Sequence, residues 1–116
     1  MQREPEMQQC IQDCLECHAI CLETVTYCLE EGGNLAQVGP IRLMLDCAEI
    51  CQTGASYMLR RSNLHGRTCN LCADVCGRCG QVCEEFNDDP QMVACAESCR
   101  RCEESCRQMA TTQRAA

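Results

Sequence analysis

The 116-residue sequence has no lysine, no tryptophan and a single phenylalanine, and aromatic residues make up 3% of it. A domain of this size usually fills its core with Leu, Ile, Val and Phe, so the bulkiest of the usual core residues are scarce. All ten basic residues are arginine, and against 17 acidic residues they leave a net charge of −7. That balance argues against nucleic acid as a partner, because phosphate binding needs a basic surface. The opening Met1-Gln2-Arg3-Glu4-Pro5-Glu6-Met7 has no apolar run after its charges, unlike a secretory signal. No stretch approaches the ~18 apolar residues of a membrane span. The expectation is a cytoplasmic chain with no membrane partner.

What the sequence has in excess is cysteine, sixteen in all. Thiols are kept reduced in the cytosol, so dense cysteine there reads more readily as metal ligands than as disulfides. The length suits one domain, residues 1–116. Helix breakers divide it into four segments. Pro5 fits a first helical turn, and the pattern runs to Glu31 before Gly32-Gly33. Pro40 opens a second helix, and Ser62 and Asn63 are candidate caps for a third. Asn87-Asp88-Asp89-Pro90 is a strong restart, an Asp cap followed by Pro at the first helical position. The predicted helices are about 5–31, 40–61, 63–86 and 90–110, with a frayed tail over 111–116. Short links favour antiparallel neighbours. The predicted fold is all-α, an antiparallel up-down-up-down four-helix bundle.

Heptad seams, with alternating steps of three and four, collect every cysteine. The first reads Met7, Cys10, Cys14, Cys17, Cys21, Thr24, Cys28, and the second Met44, Cys47, Cys51, Gly54, Met58. The third reads His65, Cys69, Cys72, Cys76, Cys79, Cys83, Phe86, and the fourth Met92, Cys95, Cys99, Cys102, Cys106, Met109. A bundle built on these seams has a core lined with sulfur. Cysteine as a plain small hydrophobe explains one such position but not a seam without Leu or Ile, which gives up much of the usual hydrophobic stabilisation. Metal–thiolate bonds can supply that energy.

Four uses of sulfur compete. Helical i,i+4 pairs such as Cys10/Cys14, Cys47/Cys51 and Cys95/Cys99 have Cβ atoms ~5–6 Å apart, whereas a disulfide wants ~3.5–4.5 Å. Cross-helix disulfides, and with them a disulfide-stapled interaction module, remain possible. The run Cys69 to Cys83 lacks the C-x2-C-x2-C-x3-C-P pattern of bacterial iron–sulfur ligation. Zinc closes a tetrahedron of four ligands, but the unbroken files do not divide visibly into quartets. Cu(I) fits best: it is soft, prefers thiolate and thioether, and accepts two sulfurs per ion. Bridging thiolates would let a file fill continuously, with a ceiling on the order of one ion per thiolate.

The topology brings Met7, Met58, His65 and Met109 to one mouth, where thioethers and an imidazole suit the entry and exit of ions. The same methionines also suit gap filling at a bundle end. His18 lies off the seam and reads as a surface or interface residue. The opposite end carries Cys28, Met44, Cys83, Phe86 and Met92, with Phe86 as a plug.

With these files go the segments Cys47-Ala48-Glu49-Ile50-Cys51, Cys69-Asn70-Leu71-Cys72-Ala73-Asp74-Val75-Cys76 and Cys99-Arg100-Arg101-Cys102-Glu103-Glu104-Ser105-Cys106. From about Met7 to Met109 the chain resembles the bacterial copper storage proteins, more narrowly the cytosolic members without an export signal. The resemblance implies a four-helix bundle that stores many Cu(I) ions, and a homotetramer. It also implies that all sixteen cysteines are ligands, with Met and His near the mouth assisting. A second apolar stripe on helix 1 (Ile11, Leu15, Leu22, Val25, Leu29), with Leu43, Leu45, Ile50 and Tyr57 on helix 2, suits a subunit contact, although such stripes also pack helices within one bundle. No nucleophile is poised with a base and an orienter, so no enzyme is expected.

Overall fold

Four helices form where the cysteine files run. The computed structural model describes residues 4–112, and its helices are α1 Pro5–Glu31, α2 Val38–Leu59, α3 His65–Glu84 and α4 Pro90–Thr112. Pro5 occupies the first turn of α1, where its missing N–H is no loss. Gly32, at φ 76°, ends α1, and its N–H reaches back to the Cys28 carbonyl. That left-handed backbone is one that glycine adopts without penalty.

A 3-10 turn over Gly33–Ala36 fills part of the expected loop. α2 then starts at Val38, two residues before Pro40. Pro40 still lies in the first turn, where N–H groups have no intrahelical partner. The α2–α3 link is longer than predicted, because α2 ends at Leu59 and α3 begins at His65. Arg61 turns the chain with φ 54°, and Ser62 N–H bonds back to the Tyr57 carbonyl at 2.9 Å. Ser62 Oγ accepts the Leu64 N–H at 3.0 Å, so Ser62 shapes this turn and Leu64 is the N-cap residue of α3. α3 stops at Glu84, and Phe86 lies in the following turn, half-buried against the core. Asp89 caps α4 as the sequence predicts: its Oδ1 accepts the N–H groups of Gln91 at 2.9 Å and Met92 at 3.1 Å. Thr111 and Thr112 extend α4, and the rest of the expected frayed tail, 113–116, lies outside the described residues.

α1 packs on α2 and α4, and α3 completes the square against α2 and α4; among the described residues the diagonal backbones stay apart, and cysteine side chains such as Cys51 and Cys102 reach across the axis. The register is antiparallel throughout. On α1 and α4, Cys10 pairs with Cys106, Cys17 with Cys99 and Cys21 with Cys95. On α2 and α3, Cys47 pairs with Cys76 and Cys51 with Cys72. The result is an up-down-up-down bundle of 47 × 20 × 19 Å.

The core inverts the usual composition. All sixteen cysteines have 0% exposure, joined by Met44, Met58, Met92, Met109 and small alanines, with Ile11 and Val25 the only branched aliphatic residues in that buried set. None of the nine leucines is buried. Small side chains let the helices approach: a β-carbon at Gly80 of α3 would stand 3.1 Å from Arg100 Nε of α4.

Candidate metal centre

The 3.6-residue helical repeat keeps each seam facing the axis, so sulfur from four helices meets there. Cys10 and Cys14 Sγ lie 3.6 and 3.5 Å from Cys106. Cys51 Sγ lies 3.7 Å from Cys72, 3.5 Å from Cys76 and 3.7 Å from Cys102. Cys17 is 3.8 Å from both Cys47 and Cys99. All sixteen are free thiols. The i,i+4 sulfurs meet as well, 3.7 Å apart for Cys72 and Cys76 and 3.9 Å for Cys102 and Cys106.

Sulfurs gather into groups whose members lie within 4.8 Å of one another. At one end stand Cys10, Cys69 and Cys106, followed by Cys14, Cys72, Cys102 and Cys106. The next are Cys51, Cys72, Cys76 and Cys102, then Cys17, Cys47, Cys51 and Cys76, and then Cys17, Cys21, Cys47 and Cys99. Each group shares members with the next. The quartets that the sequence did not reveal therefore exist, but they overlap. They therefore do not divide into separate zinc sites with four ligands each.

Ionisation follows the same contacts. Cys14, Cys72 and Cys95 are held below the usual thiol range, chiefly by hydrogen bonds from Cys10, Cys102 and Cys21 respectively. Cys51, Cys99 and Cys106 are pushed up, chiefly through their bonds with Cys102, Cys17 and Cys10. Cys69 is pushed up to about 12, with its Cys10 bond the largest cause. One thiolate is stabilised by neighbours that thereby keep their own protons. Further ionisation needs cations among the sulfurs, and a soft metal supplies them while displacing the remaining protons.

The family profile described as copper storage protein matches residues 3–111. The chain belongs to the copper storage protein family. A Nitrosospira multiformis protein of solved structure is 39% identical, over 91% of this chain and 95% of its own, with a TM-score of 0.86. The Cu(I)-bound copper storage protein Csp3 of Bacillus subtilis is 38% identical, over 90% of this chain and 98% of its own, with a TM-score of 0.85. A cytosolic copper storage protein from Streptomyces lividans, solved with five coppers, is 31% identical, over 91% of this chain and 92% of its own, with a TM-score of 0.85. That Streptomyces protein is also known loaded with 10 copper equivalents.

In this member of the family, Met7, Met58, His65 and Met109 stand at the bundle end marked by Cys10, Cys69 and Cys106. Met58 and Met109 are buried, and Met7 and His65 half-buried. His65 Nδ1 donates to the Ser62 carbonyl at 2.9 Å, which leaves Nε2 as the ring's acceptor. His18 ties α1 to α2 through its Nδ1, 2.8 Å from the Ala48 carbonyl. At the other end, three contacts escaped the sequence reading. Cys28 Sγ lies 3.6 Å from Met92 Sδ, Gln91 Nε2 donates to Thr24 Oγ1 at 2.9 Å, and Tyr27 Oη donates to Asp89 at 2.5 Å. A thioether one step from Cys95 on the α4 seam was the available signal for the first.

Proposed function

We propose that this chain stores Cu(I) in the cytoplasm, holding many ions along its core through the thiolates of all sixteen cysteines. The observation that carries this reading is the overlap of the sulfur groups: each shared thiol can bridge ions on either side, so the file fills continuously. The match to the family and the Cu(I)-bound relatives support it. A metal–thiolate bond of about 2.3 Å puts the sulfurs of a linear site about 4.6 Å apart, so loading parts neighbouring sulfurs by only about 1 Å. Met7, Met58, His65 and Met109 serve as weaker, neutral donors where ions enter and leave. The chain acts as a store rather than an enzyme and takes no nucleic acid, in keeping with its net charge of −7.

The assembly is a homotetramer joined through the outer faces of α1 and α2. There Leu15, Leu22, Leu29, Val38 and Leu45 lie exposed, while the outer faces of α3 and α4 carry charged side chains such as Arg78, Glu84, Arg100 and Arg101. Far-ultraviolet circular dichroism with native mass spectrometry tests the storage reading. It predicts a helical apo protein that takes up on the order of ten or more coppers per chain with little change in helicity. An unfolded apo protein, or uptake that stops at one or two, contradicts it.

A further inference from the structure

Cys28 stands apart from the other thiols. Between it and Cys21 the α1 seam carries Thr24, fully buried, whose hydroxyl accepts a hydrogen bond from Gln91. Oxygen and amide nitrogen are poor donors for a soft cation, so this rung interrupts the sulfur file along α1. On its inner side Cys21 meets Cys95 at 3.9 Å. On its outer side Cys28 meets Met92 at 3.6 Å, and both side chains have 0% exposure. Cys28 belongs to none of the three- and four-sulfur groups. The pair is also held in place. Asp89 fixes the backbone of Met92 and accepts the hydroxyl of Tyr27, the residue before Cys28.

We propose that Cys28 and Met92 form a separate site for one Cu(I), bound by one thiolate and one thioether, at the end of the bundle away from Cys10, Cys69 and Cys106. The proposal rests on the storage reading. One thiolate and one Cu(I) cancel, so the loaded pair is neutral, and a neutral site is the least costly kind to bury. The thioether brings no charge with which to hold a second ion, so the site does not extend into a cluster. It binds less tightly than the thiolate groups, fills after them and empties before them.

The test combines a titration and a crystal structure. Wild type and Met92→Leu, a nearly volume-conserving change, are saturated with Cu(I) against a competing chelator. Copper positions in the wild type are located by anomalous scattering at half and full loading. The expected result is one copper fewer per chain in Met92→Leu. A copper between Cys28 Sγ and Met92 Sδ should be present at full loading and absent at half. Equal capacities, no copper on Met92 at full loading, or a Cys28 copper bridged to Cys21 or Cys95 would overturn the proposal. Should the variant fail to fold, the wild-type crystals decide alone. A wild type that takes up only one or two ions would instead overturn the storage reading.

Discussion

Gly54 on α2 faces Cys14 on α1: a β-carbon at Gly54 would meet a single neighbour within 4 Å, the Cys14 Sγ at 3.9 Å. The position is buried and helical, yet it has room for a methyl group. Glycine inside a helix costs about 0.5–1 kcal/mol relative to alanine. Gly54→Ala should therefore raise the stability of the apo protein by about that amount, read from denaturant midpoints. A lowered midpoint would mean that the helices cannot accept the methyl group at this point.

Cys51 belongs to two of the four-sulfur groups, whereas Cys83 belongs to none. Both changes to alanine should cost the apo protein similar stability, about 1 kcal/mol for a small buried cavity. Their effects on copper should differ. Cys51→Ala removes a shared bridge and should lower capacity by more than one ion, and Cys83→Ala by about one at most. Equal losses in native mass spectra would argue that the groups fill independently.

Tyr27 and Asp89 should contribute a pH dependence at the bundle end that carries Cys28 and Met92. The hydrogen bond from Tyr27 is the largest cause holding the Asp89 carboxyl low, with the Met92 and Gln91 N–H groups adding to it. A lowered carboxyl contributes stability above its unfolded pKa, about 3.9, and loses it as pH falls through the folded value. The same bond pushes Tyr27 up to about 12. Its contribution is complete below the unfolded pKa near 10 and fades as pH rises through the folded value. Absorbance titration should give a Tyr27 midpoint near 12 that moves toward 10 in Asp89→Asn. A wild-type midpoint near 10 would show that the bond does not persist in solution.

Much of this was legible in the sequence because thiols mark their own faces. Steps of three and four put all sixteen cysteines on four seams, and each of them is buried. Four helices with short links fixed the antiparallel order. The grouping of sulfurs was not legible, because it depends on how far each helix is rotated and slid against its neighbours. A quartet such as Cys14, Cys72, Cys102 and Cys106 draws on three helices, and no single file displays it. Helix ends were blurred for local reasons. Proline is tolerated throughout a first turn, so Pro40 marked the start of α2 only to within two residues. The turn at Arg61 to Leu64 displaced the caps expected at Ser62 and Asn63.

The proposed subunit contact can be tested apart from copper binding. Leu22 is 41% exposed on the outer face of α1, and its side chain points away from the sulfur file. If the proposed tetramer forms through this face, Leu22→Glu should break it, read by light scattering against the wild type, while copper per chain stays unchanged. A persistent tetramer would place the contact on another face.

The central claim is that the sulfur file holds many Cu(I) ions at once, and the most direct measurement is a Cu(I) titration of fully reduced protein against a chromogenic chelator, with thiols counted on the same sample. The account predicts about sixteen reactive thiols after denaturation, matching the sixteen free cysteines. It also predicts a plateau on the order of ten or more tightly held coppers per chain. A plateau at one or two coppers, or few free thiols even after reduction, would contradict it.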